Sequence, residues 1–264
     1  ARAVAERLAI DLTEIDWGCS GGAAAPAAGP ELARLCSTVN LDKAREAGCT
    51  RLATGCAACL RHLEETAAAL PGPDDQDARW APDPAPKMAA RQQRARGVLV
   101  TALHEVIAEP LLAAGAPAVV TRPLTGLKAA AYYGCRAYRD AQGRVRPFAS
   151  ERSLERVIEA VGAASVPWGG RGECSGGYLT LSRSEIVEER TSLLIHEARE
   201  AGAEVIVVVC ATCHFNLGSR PLDDPLPLLY LPQLVGLALG LEPGRLGLSL
   251  VDPARRLLRR LGIS

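Results

Sequence analysis

The apolar positions of this chain fall into short unbroken runs and helical stripes that alternate along its length. Glu204-Val205-Ile206-Val207-Val208-Val209 is a mostly apolar, β-branched run, the pattern of a strand buried on both faces in a parallel sheet. Ahead of it, Ser184 to Ala201 carries Ile186, Leu193, Leu194 and Ala198 at helical spacing, with Gly202 placed as the C-terminal stop. Leu127 to Tyr133 reads as a further strand ending at Gly134-Cys135. In the first half, Leu32 to Ala47 reads as a helix and Thr50 to Thr54 as a weaker strand. Apolar helices are expected near Gly97–Ala114 and at Leu231–Leu239, and the Pro/Asp-rich stretch from Pro71 to Pro86 reads as loop. Strand–helix alternation of this kind implies small parallel sheets flanked by helices, an α/β chain with its sites at the carboxyl ends of strands.

The pattern repeats. Ala44-Arg45-Glu46-Ala47-Gly48 recurs as Ala198-Arg199-Glu200-Ala201-Gly202, an offset of 154. The pairs Cys56/Cys59 and Cys210/Cys213 keep the same offset, and Trp17-Gly18-Cys19-Ser20-Gly21-Gly22 resembles Gly172-Glu173-Cys174-Ser175-Gly176-Gly177 at 155. Three landmarks in one order point to an internal duplication. The boundary between copies is expected near Thr121, giving a first repeat over 1–121 and a second over 122–264. The first copy has a surplus of about 20 residues after its CxxC pair, so the stretch 71–90 reads as an insertion. Tyr132-Tyr133-Gly134-Cys135 has its counterpart about 20 residues before residue 1, so the first copy is expected to lack its front and one cysteine. Cys36 and Cys49 have no partners in the second copy and read as incidental.

Charge and composition narrow the chemistry. Thirty Lys+Arg balance thirty Asp+Glu, which excludes a nucleic-acid binder running on bulk charge. No apolar run reaches about 18 residues, so no transmembrane segment is expected, and no leader pattern follows Ala1. Arg255 to Arg260 reads as a solvated basic helix face, and Leu231–Leu239 as core packing rather than a docking surface. The nine cysteines are an odd number and cannot all pair.

In the second copy Cys135, Cys174, Cys210 and Cys213 are the ligand candidates. Four thiolates suit an iron–sulfur cluster or a structural zinc. The single cysteines lie far ahead of the CxxC pair, which favours a cluster held between loops over a compact zinc ribbon. Cys213 is expected to open a helix, whose free N–H groups and dipole favour thiolate. Gly134, Gly176 and Gly177 would let the backbone pass close to a bulky inorganic core. A thioredoxin-like redox pair is one alternative. Cys210-Ala211-Thr212-Cys213-His214 also matches a haem-attachment pattern, although the first copy has Leu60 in place of the histidine.

These motifs resemble the duplicated CCG domain of the heterodisulfide reductase B subunit and of related succinate, glycolate and lactate oxidoreductase subunits. The residues that carry the resemblance are Tyr132-Tyr133-Gly134-Cys135, Cys174-Ser175-Gly176-Gly177 and Cys210-Ala211-Thr212-Cys213-His214-Phe215-Asn216-Leu217. The flanks Arg122-Pro123-Leu124 and Leu229-Tyr230-Leu231-Pro232-Gln233-Leu234 agree, as do Asp16-Trp17-Gly18-Cys19-Ser20-Gly21 and Asn40-Leu41 in the first copy. The chain departs from the family where the signature has Cys-Cys-Gly: both copies read Cys-Ser-Gly, with Ser20 and Ser175 in the second place. An alignment with Glu173 in the first slot and Cys174 in the second stays open.

The resemblance implies two CCG domains and metal ligands at Cys135, Cys174, Cys210 and Cys213, with Cys19, Cys56 and Cys59 in the first copy. It implies one or two 4Fe–4S clusters, with zinc as the alternative in one repeat. Ser175, Ser20, His214, Tyr132 and Tyr133 are expected beside the ligands. The implied role is an iron–sulfur subunit of a hetero-oligomeric oxidoreductase, working with a flavin-bearing A-like subunit and a ferredoxin-like C subunit. A cytoplasmic location, reaching the membrane only through partners, goes with it. The serines put disulfide cleavage itself in question, because serine is a harder and less acidic ligand than cysteine. A zinc-stapled scaffold and a thiol–disulfide oxidoreductase are the readings from other classes.

Overall fold

The computed structural model describes residues 1–22, 29–70, 86–113, 116–219, 225–248 and 252–263. The chain forms two compact units, one of Thr13–Leu103 and one of Ala1–Leu12 with His104–Ser264.

The first unit contains α2 (Pro30–Glu46), β1 (Arg51–Thr54), α3 (Ala57–Ala69), α4 (Pro86–Arg94) and β2 (Leu99–Ala102), following α1 (Arg2–Arg7) of the other unit. β1 and β2 pair in parallel, Arg51 opposite Leu99. Leu41, Ala44, Leu52, Leu63 and Val98 close the core beneath them. Asp42 in α2 is fully buried and takes two bonds from Arg94 at 2.6 and 2.8 Å, which ties α4 to α2. A buried carboxylate needs such a partner, since desolvation alone would neutralise it.

The second unit takes up the chain at α5 (Leu103–Leu112), all but its first residue, and is built on β3 (Lys128–Tyr132), β4 (Ala164–Val166), β5 (Val205–Val208) and β6 (Leu228–Tyr230). The strands are parallel in the order β4-β3-β5-β6. α6 (Gly134–Tyr138), α7 (Pro147–Ser150) and α8 (Ser153–Ala160) lie between β3 and β4 in the chain. α9 (Ser184–Glu200), α10 (Ala211–Gly218), α11 (Leu231–Ala238) and α12 (Asp252–Arg260) follow. Val205 to Val208 are all buried, as the unbroken β-branched run requires of a central strand.

The first unit repeats a part of the second. An offset of 154 carries α2 onto α9 and β1 onto β5 at both ends, and the first residue of α3 onto that of α10. The expected helix near Gly97–Ala114 is corrected at its start: Leu99–Ala102 is strand β2, and α5 begins at Leu103. A short apolar run has no period of its own, and pairing with β1 decides it as strand. β6 leads into α11 in the same way. Of the expected insertion over 71–90, residues 71–85 lie outside the described residues and 86–90 open α4. In α12, Arg255, Arg256, Arg259 and Arg260 are exposed while Leu257 and Leu258 are buried. Among the described residues no helix is long and apolar enough to cross a membrane.

Candidate metal centre

Sheet topology opens a crevice between β3 and β5. The chain leaves β3 toward β4 on one side and leaves β5 toward β6 on the other, so the loops after these two neighbours diverge. Cys135 follows β3, and Cys210 and Cys213 follow β5. Cys210 caps α10 in extended conformation, Ala211 opens the helix, and Cys213 sits in its first turn, slightly later than expected. Cys174 reaches the same place from the loop after β4. The nearness of the four thiols is seen in their mutual electrostatics: Cys135 and Cys174 are hydrogen-bonded to each other, Cys210 and Cys213 likewise, and Cys135 feels both Cys210 and Cys213.

Gly134 makes the approach workable. Its φ of +68° lies in the left-handed region, and a Cβ there would stand 2.7 Å from Cys213 Sγ. Gly176, at φ +83°, turns the loop so that its N–H donates to Cys174 Sγ at 3.3 Å. The Cys174 thiol is drawn down to about 5, first by the hydrogen bond from Cys135 and then by the Gly176 and Gly177 N–H groups and the Arg190 charge, against its burial. Cys135 moves the opposite way, because it holds the proton of the pair and is buried. Cys213 is raised by its bond with Cys210 and by burial.

The neighbours divide. Tyr132 faces the thiols, and its hydroxyl donates to the Glu173 carbonyl at 2.9 Å. Burial, and then the nearby cysteines, keep that phenol protonated. Tyr133 is equally buried but turns elsewhere: its hydroxyl donates to Glu155 at 2.5 Å, and its ring packs on Tyr138 and Phe148. His214 stacks on Tyr230 at 4.0 Å, and burial keeps it neutral. The Glu173 side chain is exposed and pairs with Arg190 at 3.1 Å.

The first unit presents the same plan with fewer thiols. Cys56 caps α3 and Cys59 lies in its first turn. Cys59 is raised by its hydrogen bond with Cys56 and by burial. Cys19 is exposed on the loop before α2, which Asn40 clamps through both backbone groups of Gly18, at 3.0 and 2.7 Å. Cys36 is half-buried in α2, and Cys49 lies at the edge of the core. All nine cysteines are free thiols.

Arg190 and His62 were passed over in the sequence, and Asn40 and Asn216 entered it only as letters of the family motifs, with no role of their own. The repeat offset carries His62 onto Asn216. That was the available signal, hidden because the two letters differ.

A family model described as the CCG cysteine-rich domain matches residues 129–218. The 8-methylmenaquinol:fumarate reductase membrane anchor subunit of Wolinella succinogenes is 30% identical over 259 residues, which is 94% of this chain and 88% of that protein. The B subunit of the ferredoxin:CoB-CoM heterodisulfide reductase of Methanosarcina mazei is 32% identical over 142 residues, 49% of this chain and 47% of that protein. The chain belongs to the family of that Wolinella subunit, carries a CCG cysteine-rich domain, and is homologous over half its length to the heterodisulfide reductase B subunit. The crystal structure of a hypothetical protein from Helicobacter pylori has the same α/β fold, with a TM-score of 0.68 at 12% identity over 94% of this chain and 47% of that one.

An iron–sulfur cluster is the group that this CCG family implies, and the donors of the second unit fit one. They are four thiols in two hydrogen-bonded pairs, brought from the ends of three strands, with a glycine where a side chain would intrude. Among the described residues no three His, Cys, Asp or Glu side chains are grouped as a single-ion site.

Proposed function

We propose that this chain is the iron–sulfur subunit of a heterodisulfide-reductase-like complex. It passes electrons to or from a disulfide or another sulfur or organic substrate together with a flavoprotein partner. The observation that carries this reading is the meeting of Cys135, Cys174, Cys210 and Cys213 at the β3/β5 crevice. These four would hold one 4Fe–4S cluster. Cys19, Cys56 and Cys59, with one further ligand, would hold a second, and each repeat, 1–121 and 122–264, would then carry one site. Such clusters supply one-electron transfer.

The chain's own residues prepare that place. Cys174 Sγ accepts the Gly176 N–H, a bond that favours the thiolate a metal ligand needs. Cys210 and Cys213 are buried, which keeps water from that side of the crevice. Tyr132 holds its proton and pins the Glu173 backbone beside Cys174. Ser20 and Ser175 stand where the family signature has its second cysteine, so we assign electron transfer ahead of disulfide cleavage. The Methanosarcina relative is named as a heterodisulfide reductase subunit and the Wolinella relative as a membrane anchor subunit. We therefore place this chain in a hetero-oligomer with a flavin-bearing A-like and a ferredoxin-like C subunit, in the cytoplasm and held at the membrane through those partners.

Anaerobic purification followed by iron, zinc and acid-labile sulfide analysis tests the reading. About four irons with matching sulfide per occupied site and a broad visible absorption are expected. Zinc without colour would establish the stapled scaffold instead. Thiol–disulfide exchange that survives complete metal removal and dies with Cys210→Ser would establish the oxidoreductase reading.

A further inference from the structure

The two Cys-Ser-Gly loops are locked by the same device in both repeats. Ser20 and Ser175 are 0% and 1% exposed, although serine is a residue of surfaces. Each is gripped by the side chain one turn beyond the CxxC pair. Asn216 Nδ2 donates to the Ser175 carbonyl at 3.1 Å and lies 3.4 Å from Ser175 Oγ. His62 Nδ1 lies 3.2 Å from the Ser20 carbonyl and 3.4 Å from Ser20 Oγ. Residues 62 and 216 are related by the repeat offset, so the arrangement occurs twice in one chain with different letters.

Donor and acceptor counting settles what the serines do. A backbone carbonyl only accepts, so the atom of Asn216 facing it is the NH2 group. That group only donates, so Ser175 Oγ accepts from it and keeps its single hydroxyl hydrogen for another partner. At Ser20, Nδ1 must carry the hydrogen to satisfy the carbonyl, which leaves the Ser20 hydroxyl hydrogen equally free. The partners are the second cysteines of the CxxC pairs: Ser175 bonds to Cys213, and Ser20 bonds to Cys59 through hydroxyl and backbone N–H.

We infer that Ser175 and Ser20 are hydrogen-bond donors to the sulfurs of Cys213 and Cys59, aimed by Asn216 and His62 as positioning residues. The serine in place of the family's second cysteine is then a built donor to a ligand sulfur and not merely a lost ligand. Hydrogen bonds to cluster sulfurs stabilise the more negative, reduced state and raise the potential. Both CxxC sites are therefore set to accept an electron more readily than the same ligand sets without the hydroxyl.

The inference rests on the iron–sulfur reading above, and its test separates the two. The whole chain, reconstituted anaerobically with iron and sulfide, is titrated potentiometrically while its paramagnetic signals are followed. Ser175→Ala should keep the wild-type iron content and shift the potential of that site to more negative values. Asn216→Leu should reproduce the shift, because the serine is no longer aimed. Asn216→His, which copies the first repeat, should restore the potential toward wild type, and His62→Asn should leave the other site unmoved. Ser175→Ala with wild-type iron and an unchanged potential would overturn the inference and leave the iron–sulfur reading standing. A wild-type chain that takes up no iron would overturn both. Loss of iron in Ser175→Ala would make the serine a ligand, which also overturns the donor role.

Discussion

At the scale of single residues, the site depends on positions where one atom more or less decides the outcome. Gly134 is the sharpest. It combines a left-handed backbone with a missing Cβ that would meet Cys213 Sγ at 2.7 Å. Gly126 has a comparable φ of +84° with nothing within 4 Å, so it separates strain from contact. Gly126→Ala is expected to cost about 1–2 kcal/mol from backbone strain alone. Gly134→Ala should cost more and should also lower iron uptake at the second site, measured by urea unfolding and iron analysis. His104 gives the pH dependence. It is fully buried between Phe148 and the Arg146 charge, and among the described residues its Nδ1 has no hydrogen-bond partner. Burial, and then Arg146, press its pKa down to about 3, from 6.5 in the unfolded chain. Unfolding therefore takes up a proton between those values, and stability falls as the pH drops through that window. At pH 5 the loss from this group is about 2 kcal/mol relative to pH 8. In His104→Phe that part of the acid sensitivity should vanish from urea midpoints compared at the two pH values. An unchanged pH profile would show that His104 titrates normally.

At the scale of elements, strength follows how many neighbours a strand has. β5 lies between β3 and β6, and Val207 is fully buried there. Its repeat counterpart is Ala53 in β1, which among the described residues pairs only with β2. Val207→Ala removes the equivalent of two methylenes from the packed interior and should cost about 2 kcal/mol in urea unfolding. Ala53→Val, on the half-exposed β1, should change stability by less than about 0.5 kcal/mol. This contrast was readable in the letters, since Val-Ile-Val-Val announces a central strand and Arg-Leu-Ala-Thr a marginal one. The long helices α2 and α9 were readable too, because seventeen residues give an apolar period room to show. β2 and β6 were not. They are four and three residues long and run straight into α5 and α11, so only pairing with β1 and β5 marks them as strands.

At the scale of the whole molecule, the duplication governs what sequence could and could not reveal. Identical landmarks, CxxC and Cys-Ser-Gly, announced themselves at offsets of 154 and 155. The clamp residues did not, because repeats diverge in letter while conserving a hydrogen bond, and His62 and Asn216 share only the ability to donate to a carbonyl. Each unit carries its own CxxC at the end of its own strand, β1 or β5, so the two sites should load independently. Mutations without shared partners behave additively, whereas ligands of one centre fail together. Cys213→Ser should therefore remove the iron of the second unit and leave that of the first. Cys59→Ser should do the converse, and the double variant should bind none. A cluster bound only by the native state stabilises it by mass action, so loading should raise the unfolding temperature. Calorimetry of the loaded protein checks this directly. Cys213→Ser should lower the transition of the unit holding β3 to β6, and Cys59→Ser should leave that transition in place. If either single variant emptied both sites, the thiols of the two units would belong to one shared centre, and independent loading of the repeats would be wrong.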